Sequence, residues 1–249
     1  MPPAASRTRR PAVIAHRGGG REVPENTWSA VEHVAVLGLE WMETDLRLTA
    51  DGVVVLSHDE DLRRTANDPR TVGEVMWAEL ADLDSGDGRG FVRLDDALYA
   101  HPTMRFNVDL KDSNVVQAAL QTVRDAEALE RVRFASFSAR RLAMLRRQEP
   151  RAMTSLGVSD VLGLMLRSAV PLPQTRWGWT RGRVDAVQVP ESYHNVPVVT
   201  RRFVASAHTA GLEVHVWTVD DPVQMRQLAE LNVDAIMTDV PTLALQALG

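Results

Sequence analysis

The sequence AVIAHRGGGREVPENT occupies residues 12–27 and predicts a strand, a glycine-rich loop and the beginning of a helix. The apolar run 12–15 is the strand, and Asn26 or Thr27 is a suitable helix N-cap. An open dinucleotide-binding sheet would carry the fingerprint G-x-G-x-x-G after this strand. Residues 18–20 are instead three glycines followed by Arg and Glu, so the fingerprint is absent and a different α/β fold is indicated.

Beyond this stretch, short β-branched runs alternate with segments of helical period, the pattern of βα units on a parallel sheet. Residues 41–48 predict the second strand, and 53–56 return from a turn at Asp51-Gly52. A two-residue turn cannot make a parallel crossover, so we expect a β-hairpin here. Further strands are predicted at 104–110, 133–137, 152–156, 186–189, 214–218 and 235–238. Without the return strand they number eight, which favours a TIM (β/α)8 barrel over a doubly wound open sheet.

The length of 249 residues suits a single barrel domain. We expect a disordered tail at 1–11, the barrel at 12–249 and a short cap insertion at about 60–102. The absence of cysteine excludes disulfides and thiolate chemistry, and the net charge of −5 gives no basic field for nucleic acid. With no signal peptide and no apolar run of about 18 residues, we expect a cytoplasmic protein without stable membrane insertion.

Charged residues fall at the C-terminal ends of predicted strands, where barrels carry their catalytic groups. His16 and Arg17 precede the glycines and suit anion binding, although a surface His-Arg pair is the alternative. Glu43 and Asp45 share one strand face because strand side chains alternate. Two carboxylates at a barrel mouth repel each other unless a cation such as Mg²⁺ or Ca²⁺ lies between them, and a solvated acidic face is the alternative.

Three later positions predict partners for this site. The hairpin register returns His58 beside the acidic pair, unless it is a loop histidine bonded to Asp59. Asp109 and Lys111 share a face at the end of the third barrel strand, either as an ion pair or as a metal ligand with a phosphate contact. Trp217 lies at another strand end, where it is either a pocket wall for an apolar group or part of the core.

Taken in order, these motifs resemble the signature of the glycerophosphodiester phosphodiesterase family. The N-terminal motifs are HRG at 16–18, PENT at 24–27, ETD at 43–45, TADG at 49–52 and HD at 58–59. The likeness continues with DLK at 109–111, VWTVD at 216–220 and VDAIMTDVP at 233–241. The order and spacing agree over nearly the whole chain.

The resemblance implies a TIM-barrel phosphodiesterase with one divalent cation, Mg²⁺ or Ca²⁺, and a small-molecule phosphodiester substrate. Its implied site residues fall into three groups: His16 and His58 as general acid and base; Arg17, Lys111 and Trp217 as substrate contacts; Glu43, Asp45 and Asp109 as metal ligands. The implied reaction hydrolyses glycerophosphodiesters to glycerol 3-phosphate and an alcohol. The resemblance leaves a monomer and a homodimer open.

One departure from the family pattern affects the substrate. The family usually has glutamate where this chain has Asp109, and related barrels that cleave sphingomyelin or lysophospholipids use aspartate there. A phospholipase D-like lyase that acts on lysophospholipids or sphingolipids and yields a cyclic phosphate is therefore one alternative. A catalytically silent barrel that binds a phosphorylated ligand is the other, although neither histidine and none of the three acids has been lost.

Overall fold

The computed structural model describes residues 10–169, 183–194 and 196–249. Its strands are β1 (Ala12–His16), β2 (Trp41–Leu48), β3 (Val54–Leu56), β4 (Arg105–Leu110), β5 (Val132–Ala135), β6 (Met153–Thr154), β7 (Ala186–Val189), β8 (Ser192–Tyr193), β9 (Val196–Pro197), β10 (Glu213–Val216) and β11 (Ala235–Thr238). Its helices are α1 (Trp28–Val36), α2 (Arg63–Ala66), α3 (Trp77–Ala81), α4 (Leu94–Ala100), α5 (Val115–Asp125), α6 (Ala139–Gln148), α7 (Val158–Ala169), α8 (Arg201–Thr209), α9 (Pro222–Glu230) and α10 (Pro241–Leu248). Short 3-10 turns lie at Val72–Glu74 and Leu129–Arg131.

Eight parallel strands form a nearly closed barrel. Their order around the sheet is β6-β5-β4-β2-β1-β11-β10-β7. An isolated parallel bridge between Ser155 and Ala186 joins the two ends of this order, and Leu156 N donates to Ala186 O at 2.9 Å. The first and last barrel strands, β1 and β11, are neighbours. The predicted TIM (β/α)8 barrel is confirmed.

The predicted hairpin is also present. β3 pairs antiparallel with β2, with Leu46 opposite Leu56 and Leu48 opposite Val54. Gly52 supplies the positive φ (+83°) that this turn requires. Ser57 N then donates to Asp45 O at 2.9 Å, which brings the returning chain back to the acidic end of β2.

Side-chain alternation separates two kinds of interior. On β4, Phe106 and Val108 face outward and are fully buried beneath the surrounding helices, whereas Asn107 and Asp109 face into the barrel. The apolar residues inside the barrel form a small cluster: Ile14, Trp41, Met153, Ala235 and Met237. The outer helical layer therefore supplies most of the hydrophobic core, and the barrel lumen is free to carry polar groups.

The segment between the hairpin and β4 contains α2, a 3-10 turn and α3 above a small core that includes Val55, Leu62 and Phe91. The range predicted as an insertion, about 60–102, also includes α4, which packs against α5 and takes the place of the second barrel helix. Of the predicted tail, residues 1–9 lie outside the described residues, and β1 begins at Ala12. Among the described helices, none has both the length and the apolar character needed to cross a membrane.

Candidate active site at the mouth of the barrel

A cavity of about 690 Å³ opens at the C-terminal ends of the barrel strands. All the residues that the sequence singled out line it: His16, Arg17, Glu43, Asp45, His58, Asp109, Lys111 and Trp217. Strand register explains why they meet. His16 pairs with Glu43 across β1 and β2, and Asp45 pairs with Asp109 across β2 and β4, so all four side chains enter the lumen at adjacent positions.

His16 is oriented by a carboxylate from the last strand of the barrel. Its Nδ1 lies 2.7 Å from Asp239 Oδ1, and its Nε2 lies 3.8 Å from Glu43 Oε2. Burial lowers the pKa of His16, but the charge of Glu43 and the hydrogen bond to Asp239 outweigh it, so the pKa lies above its usual value. The sequence reasoning did not assign Asp239 to the site, although Asp239 directly follows a barrel strand, as Arg17 and Lys111 do.

His58 is oriented by its neighbour in the chain. Its Nδ1 lies 2.8 Å from Asp59 Oδ1, and Arg64 Nε donates to Asp59 Oδ2 at 2.6 Å. Partial burial raises the pKa of Asp59, but the hydrogen bonds from Arg64 and His58 prevail and lower it to about 2. His58 is thus bonded to Asp59 and also lines the cavity, so both alternatives drawn from the sequence hold. Both histidines have Nδ1 held by an aspartate, which leaves Nε2 for a substrate.

Asp45 lies at the centre of a cluster of hydrogen-bond donors. Lys111 Nζ is 2.7 Å from Asp45 Oδ1 and 2.8 Å from Asp109 Oδ2, so the predicted Asp109–Lys111 ion pair is present. Arg17 Nε lies 3.1 Å from Asp45 Oδ2 but makes no hydrogen bond, because its N–H does not point at that oxygen. Burial raises the pKa of Asp45, yet the charges of Lys111 and Arg17 outweigh this and lower it.

Asn26 also belongs to this cluster. Its Nδ2 donates to Asp45 Oδ2 at 3.2 Å, and its Oδ1 accepts from Thr44 Oγ1 at 2.7 Å. The helix N-cap is Thr27, whose Oγ1 accepts from Ala30 N at 3.2 Å. The sequence left Asn26 and Thr27 open as caps. In the structure Thr27 is the N-cap of α1, and Asn26 instead holds Asp45 by a hydrogen bond.

Glu43 and Asp109 retain unpaired oxygens. Burial, followed by the charge of Asp45, raises the pKa of Glu43 to about 7, and burial raises that of Asp109. Glu43 Oε1 and Asp109 Oδ1 have no hydrogen-bond partner among the described residues, and neither is sealed from the cavity. In this conformation Lys111 bridges two of the acids, and the described residues form no closed set of three ligands. The free carboxylate oxygens are nonetheless the donors that Mg²⁺ and Ca²⁺ take.

The turn after β1 directs a backbone N–H into the site. Arg17 takes a positive φ of +52°, and its N–H donates to Glu43 Oε2 at 3.1 Å. Gly18 follows with a φ of +84°, and a Cβ there would lie 2.4 Å from the Cβ of Ala30. Glycine is therefore required at position 18 because α1 packs directly against the loop.

The far side of the cavity is apolar. Phe137, Val158, Leu162 and Tyr193 line it and remain exposed, which is unusual for large apolar side chains grouped in one place. Trp217 joins this side, with its ring edge-on to that of Phe137 at a centroid distance of 5.7 Å. We call these five residues the apolar wall. The sequence reasoning missed all of them except Trp217.

Comparisons with known proteins agree with this geometry. A family model described as the glycerophosphoryl diester phosphodiesterase family matches residues 16–243. The chain belongs to this family. It is 35% identical over 230 residues to a Mycobacterium tuberculosis protein named "probable glycerophosphodiester phosphodiesterase 2", covering 91% of this chain and 86% of that protein. The predicted family resemblance is confirmed.

Solved structures of the family share the fold. The glycerophosphodiester phosphodiesterase of Agrobacterium tumefaciens superposes with a TM-score of 0.76 at 26% identity, over 94% of this chain and 99% of that one. A phosphodiesterase of Oleispira antarctica, solved with its product sn-glycerol-3-phosphate, has a TM-score of 0.77 at 22% identity, over 95% and 96% of the two chains. At 22% identity the likeness supports the fold alone. As a member of the glycerophosphoryl diester phosphodiesterase family, the chain is a phosphodiesterase.

Proposed function

We propose that this family member hydrolyses glycerophosphodiesters to glycerol 3-phosphate and an alcohol, with His16 and His58 as acid and base. The observation that carries the proposal is the pair of histidines, each with Nδ1 held by an aspartate, that line one cavity together with the acid cluster. A histidine oriented in this way offers Nε2 to a reacting oxygen, and imidazole is the side-chain group best suited to proton transfer in either direction.

The phosphate would lie between these histidines. Arg17 and Lys111 are the cationic side chains at the cavity, and their guanidinium and ammonium groups would bind its oxygens. Both lie beside Asp45, with Lys111 Nζ 2.7 Å and Arg17 Nε 3.1 Å from its oxygens, so their positive charge is at the cavity before the substrate arrives. Preorganised charge of this kind stabilises the negative charge that grows on phosphate oxygens in the transition state.

Glu43, Asp45 and Asp109 would hold a divalent cation, Mg²⁺ or Ca²⁺. The fit rests on the unpaired oxygens of Glu43 and Asp109, which are open to the cavity. When bound, such a cation supplies positive charge that offsets the charge of a phosphodiester. Lys111 Nζ, which bridges Asp45 and Asp109, would turn from the acids to the phosphate.

The histidines would act on oxygen atoms at opposite sides of phosphorus. One Nε2 takes the proton from the attacking hydroxyl as the new P–O bond forms. The other Nε2 donates a proton to the leaving alcohol as the old P–O bond breaks. The 2-hydroxyl of a glycerophosphodiester is an internal nucleophile with the advantage of proximity. Attack by that hydroxyl gives a cyclic phosphate, and water then opens the ring in the reverse sense to leave glycerol 3-phosphate.

The apolar wall favours a second candidate substrate class, the lysophospholipids. Choline and ethanolamine esters of glycerophosphate have no long alkyl group, whereas the wall presents several exposed apolar side chains to the same cavity. A single-chain lipid phosphodiester would bury this surface, and burial of apolar area is favourable by about 25 cal/mol per Å². A lyase that stops at the cyclic phosphate uses the same groups and differs only in its final step.

The test is release of glycerol 3-phosphate from glycerophosphocholine and glycerophosphoethanolamine by the purified protein, with and without Mg²⁺ or Ca²⁺. We expect metal-dependent release. A cyclic phosphate accumulating in phosphorus NMR would identify the lyase, and turnover of lysophosphatidylcholine alone would identify the second substrate class. No turnover of any of these would favour the silent barrel. A cytoplasmic location and a monomeric or homodimeric state stay predictions from the sequence.

A further inference from the structure

A chain of polar side chains runs through the barrel lumen below the site described above. Arg133, His215 and Asn107 are almost completely buried, with exposed fractions of 3%, 2% and 1%. Gln188 connects them to the cavity, and Glu213 connects them to the opposite end of the barrel. Barrel lumens are usually filled by branched apolar residues, so buried polar side chains in this lumen indicate a specific role. None of its members takes part in the mechanism proposed above.

The proton positions in this chain of side chains follow from Glu213, the carboxylate at its lower end. Arg133 Nη2 donates to Glu213 Oε2 at 2.7 Å, and the same oxygen lies 3.1 Å from His215 Nε2. The hydrogen bond from His215 outweighs burial, and with the charge of Arg133 it lowers the pKa of Glu213 to about 2, so this carboxylate only accepts. Burial lowers the pKa of His215, so the ring is neutral. Its proton lies on Nε2 because that atom faces the Glu213 carboxylate, although Arg133 Nη1 is also 3.2 Å away. His215 Nδ1 is then an acceptor, with Arg133 Nη1 and Gln188 Nε2 each at 3.4 Å.

This tautomer sets the orientation of two side-chain amides. Gln188 Nε2 lies 3.4 Å from His215 Nδ1 and 2.6 Å from Asn107 Oδ1. A reversed Gln188 would bring its oxygen against the lone pair of Nδ1, so the amide nitrogen must face His215. The two N–H groups of Gln188 are then used, one for His215 and one for Asn107. Gln188 Oε1 and Asn107 Nδ2 are left over.

The leftover atoms face the cavity beneath the acid cluster. Asn107 pairs with Glu43 in the register of β2 and β4 and precedes Asp109 by two residues on the same face. Asn107 and Gln188 both line the cavity. Neither Asn107 Nδ2 nor Gln188 Oε1 has a partner among the described residues, and neither is closed off from solvent. The floor of the site thus offers one acceptor and one donor group side by side.

We propose that Asn107 and Gln188 form a subsite for the hydroxyl groups of a polyol phosphate, with His215 and Arg133 as positioning residues. The proposal rests on the proposed function and names the part of the substrate that the floor would recognise. A hydroxyl both donates and accepts, so it matches a fixed acceptor beside a fixed donor. A ligand without hydroxyls would leave both floor atoms unpaired. The cost of these unpaired atoms makes up most of the difference in affinity between ligands with and without hydroxyl groups.

The experiment compares two phosphate monoesters that differ only in hydroxyl groups. Binding of glycerol 3-phosphate and of propyl phosphate is measured by isothermal titration calorimetry with Mg²⁺ or Ca²⁺ present. The proteins are the wild type, Asn107→Leu and Gln188→Met, which keep side-chain size and remove the amide. Gln224→Met is the matched control, because Gln224 is exposed on α9 away from the cavity. Circular dichroism and thermal melting check the fold of each variant, and Gln188→Met carries the test if Asn107→Leu fails to fold.

We expect the wild type and the control to prefer glycerol 3-phosphate. Each floor variant should lose about 10-fold of that preference, while its affinity for propyl phosphate changes less than about twofold. Equal weakening of both ligands, or an unchanged preference, overturns the subsite. If the wild type hydrolyses glycerophosphocholine but the floor variants keep the wild-type preference, this inference fails and the proposed function stands. A wild type that binds neither phosphate and hydrolyses nothing defeats the proposed function as well.

Discussion

The two halves of the barrel mouth differ in origin as well as in chemistry. The half formed by β1, β2 and β4 carries His16 and the three acids on the strands themselves, where hydrogen-bonded register fixes them, and each cation directly follows one of these strands. The other half is lined by the apolar wall, which stands mostly on segments that follow strands, such as Phe137 after β5 and Leu162 on α7. A strand end holds a reacting group more rigidly than a loop does.

This contrast separates the two tasks of the site. In the proposed function, the polar half performs the reaction, and its parts depend on one another through the contacts of Asp45. The apolar half would set which alcohol or acyl group enters, and its Trp217 and Phe137 rings meet edge-on. Changes in the polar half should therefore reduce all turnover, whereas changes in the wall should alter the choice of substrate.

The largest expected effect is loss of the cation. Chelation with EDTA should abolish turnover of every phosphodiester, because Glu43, Asp45 and Asp109 would then face the anionic substrate without the charge of the divalent cation. Initial rates before chelation, after it and after addition of Mg²⁺ or Ca²⁺ measure this, and the ion that restores activity identifies the metal. Full turnover after exhaustive chelation contradicts a metal role for these acids.

The next largest effect is expected from the histidines. His16→Ala and His58→Ala should each lower kcat by about 10²- to 10⁴-fold, the usual contribution of a positioned acid or base. Release of glycerol 3-phosphate is the measurement, with circular dichroism to confirm the fold. His33→Ala is the control, since His33 is bonded to Glu22 outside the cavity and should leave the rate unchanged. Near wild-type turnover in either site variant removes that histidine from the mechanism.

A smaller effect distinguishes acid from base. Asp239→Asn keeps an oxygen that can accept from His16 Nδ1 but removes the negative charge that helps to raise the pKa of His16, so this pKa should fall. We expect a loss of about 10- to 100-fold in kcat/KM, as for other groups that orient a reacting side chain. In the pH profile of kcat/KM, a shift of the acidic limb to lower pH marks His16 as the base. A shift of the alkaline limb to lower pH marks it as the acid. An unmoved profile means that Asp239 does not control His16.

The smallest effect is expected in the apolar half. Leu162→Ser should lower kcat/KM for lysophosphatidylcholine by about 3- to 10-fold, because less apolar area is buried, and leave glycerophosphocholine unaffected. Leu166→Ser is the matched control, one turn further along α7, where the side chain is exposed but does not line the cavity. If both variants behave alike, or if both substrates respond equally to Leu162→Ser, the wall does not bind an alkyl chain.

The barrel and the polar half of its mouth could both be predicted from the sequence, because both follow from the periodicity of strands and helices. Strand alternation put Glu43 and Asp45 on one face, and the turn at Asp51-Gly52 fixed the register that returned His58. The strand predicted at 214–218 ends at Val216 instead, although Trp217 N still donates to Val189 O at 3.1 Å and Val219 N to Met237 O at 2.9 Å. Short segments at strand ends are therefore the least predictable part of the fold.

The remaining features depend on contacts between distant positions. Asp239 lies 223 residues from His16 in sequence, and Arg133 lies 82 residues from His215, which it contacts in the lumen. No local pattern distinguishes His215 from a surface histidine, since its burial arises only when β5 and β10 face each other across the lumen. The apolar wall was missed for a similar reason, because exposed apolar residues are common along any sequence.

The bond between His16 and Asp239 also has a consequence for the nascent chain. Strand β1 is made before its neighbour β11 and before the partner of its histidine, which lies 223 residues further along the chain. A chain synthesised only as far as β10 therefore holds His16 without the carboxylate that orients it. In the proposed mechanism, hydrolysis of phosphodiesters would begin only when β11 has joined the barrel and both histidines are oriented.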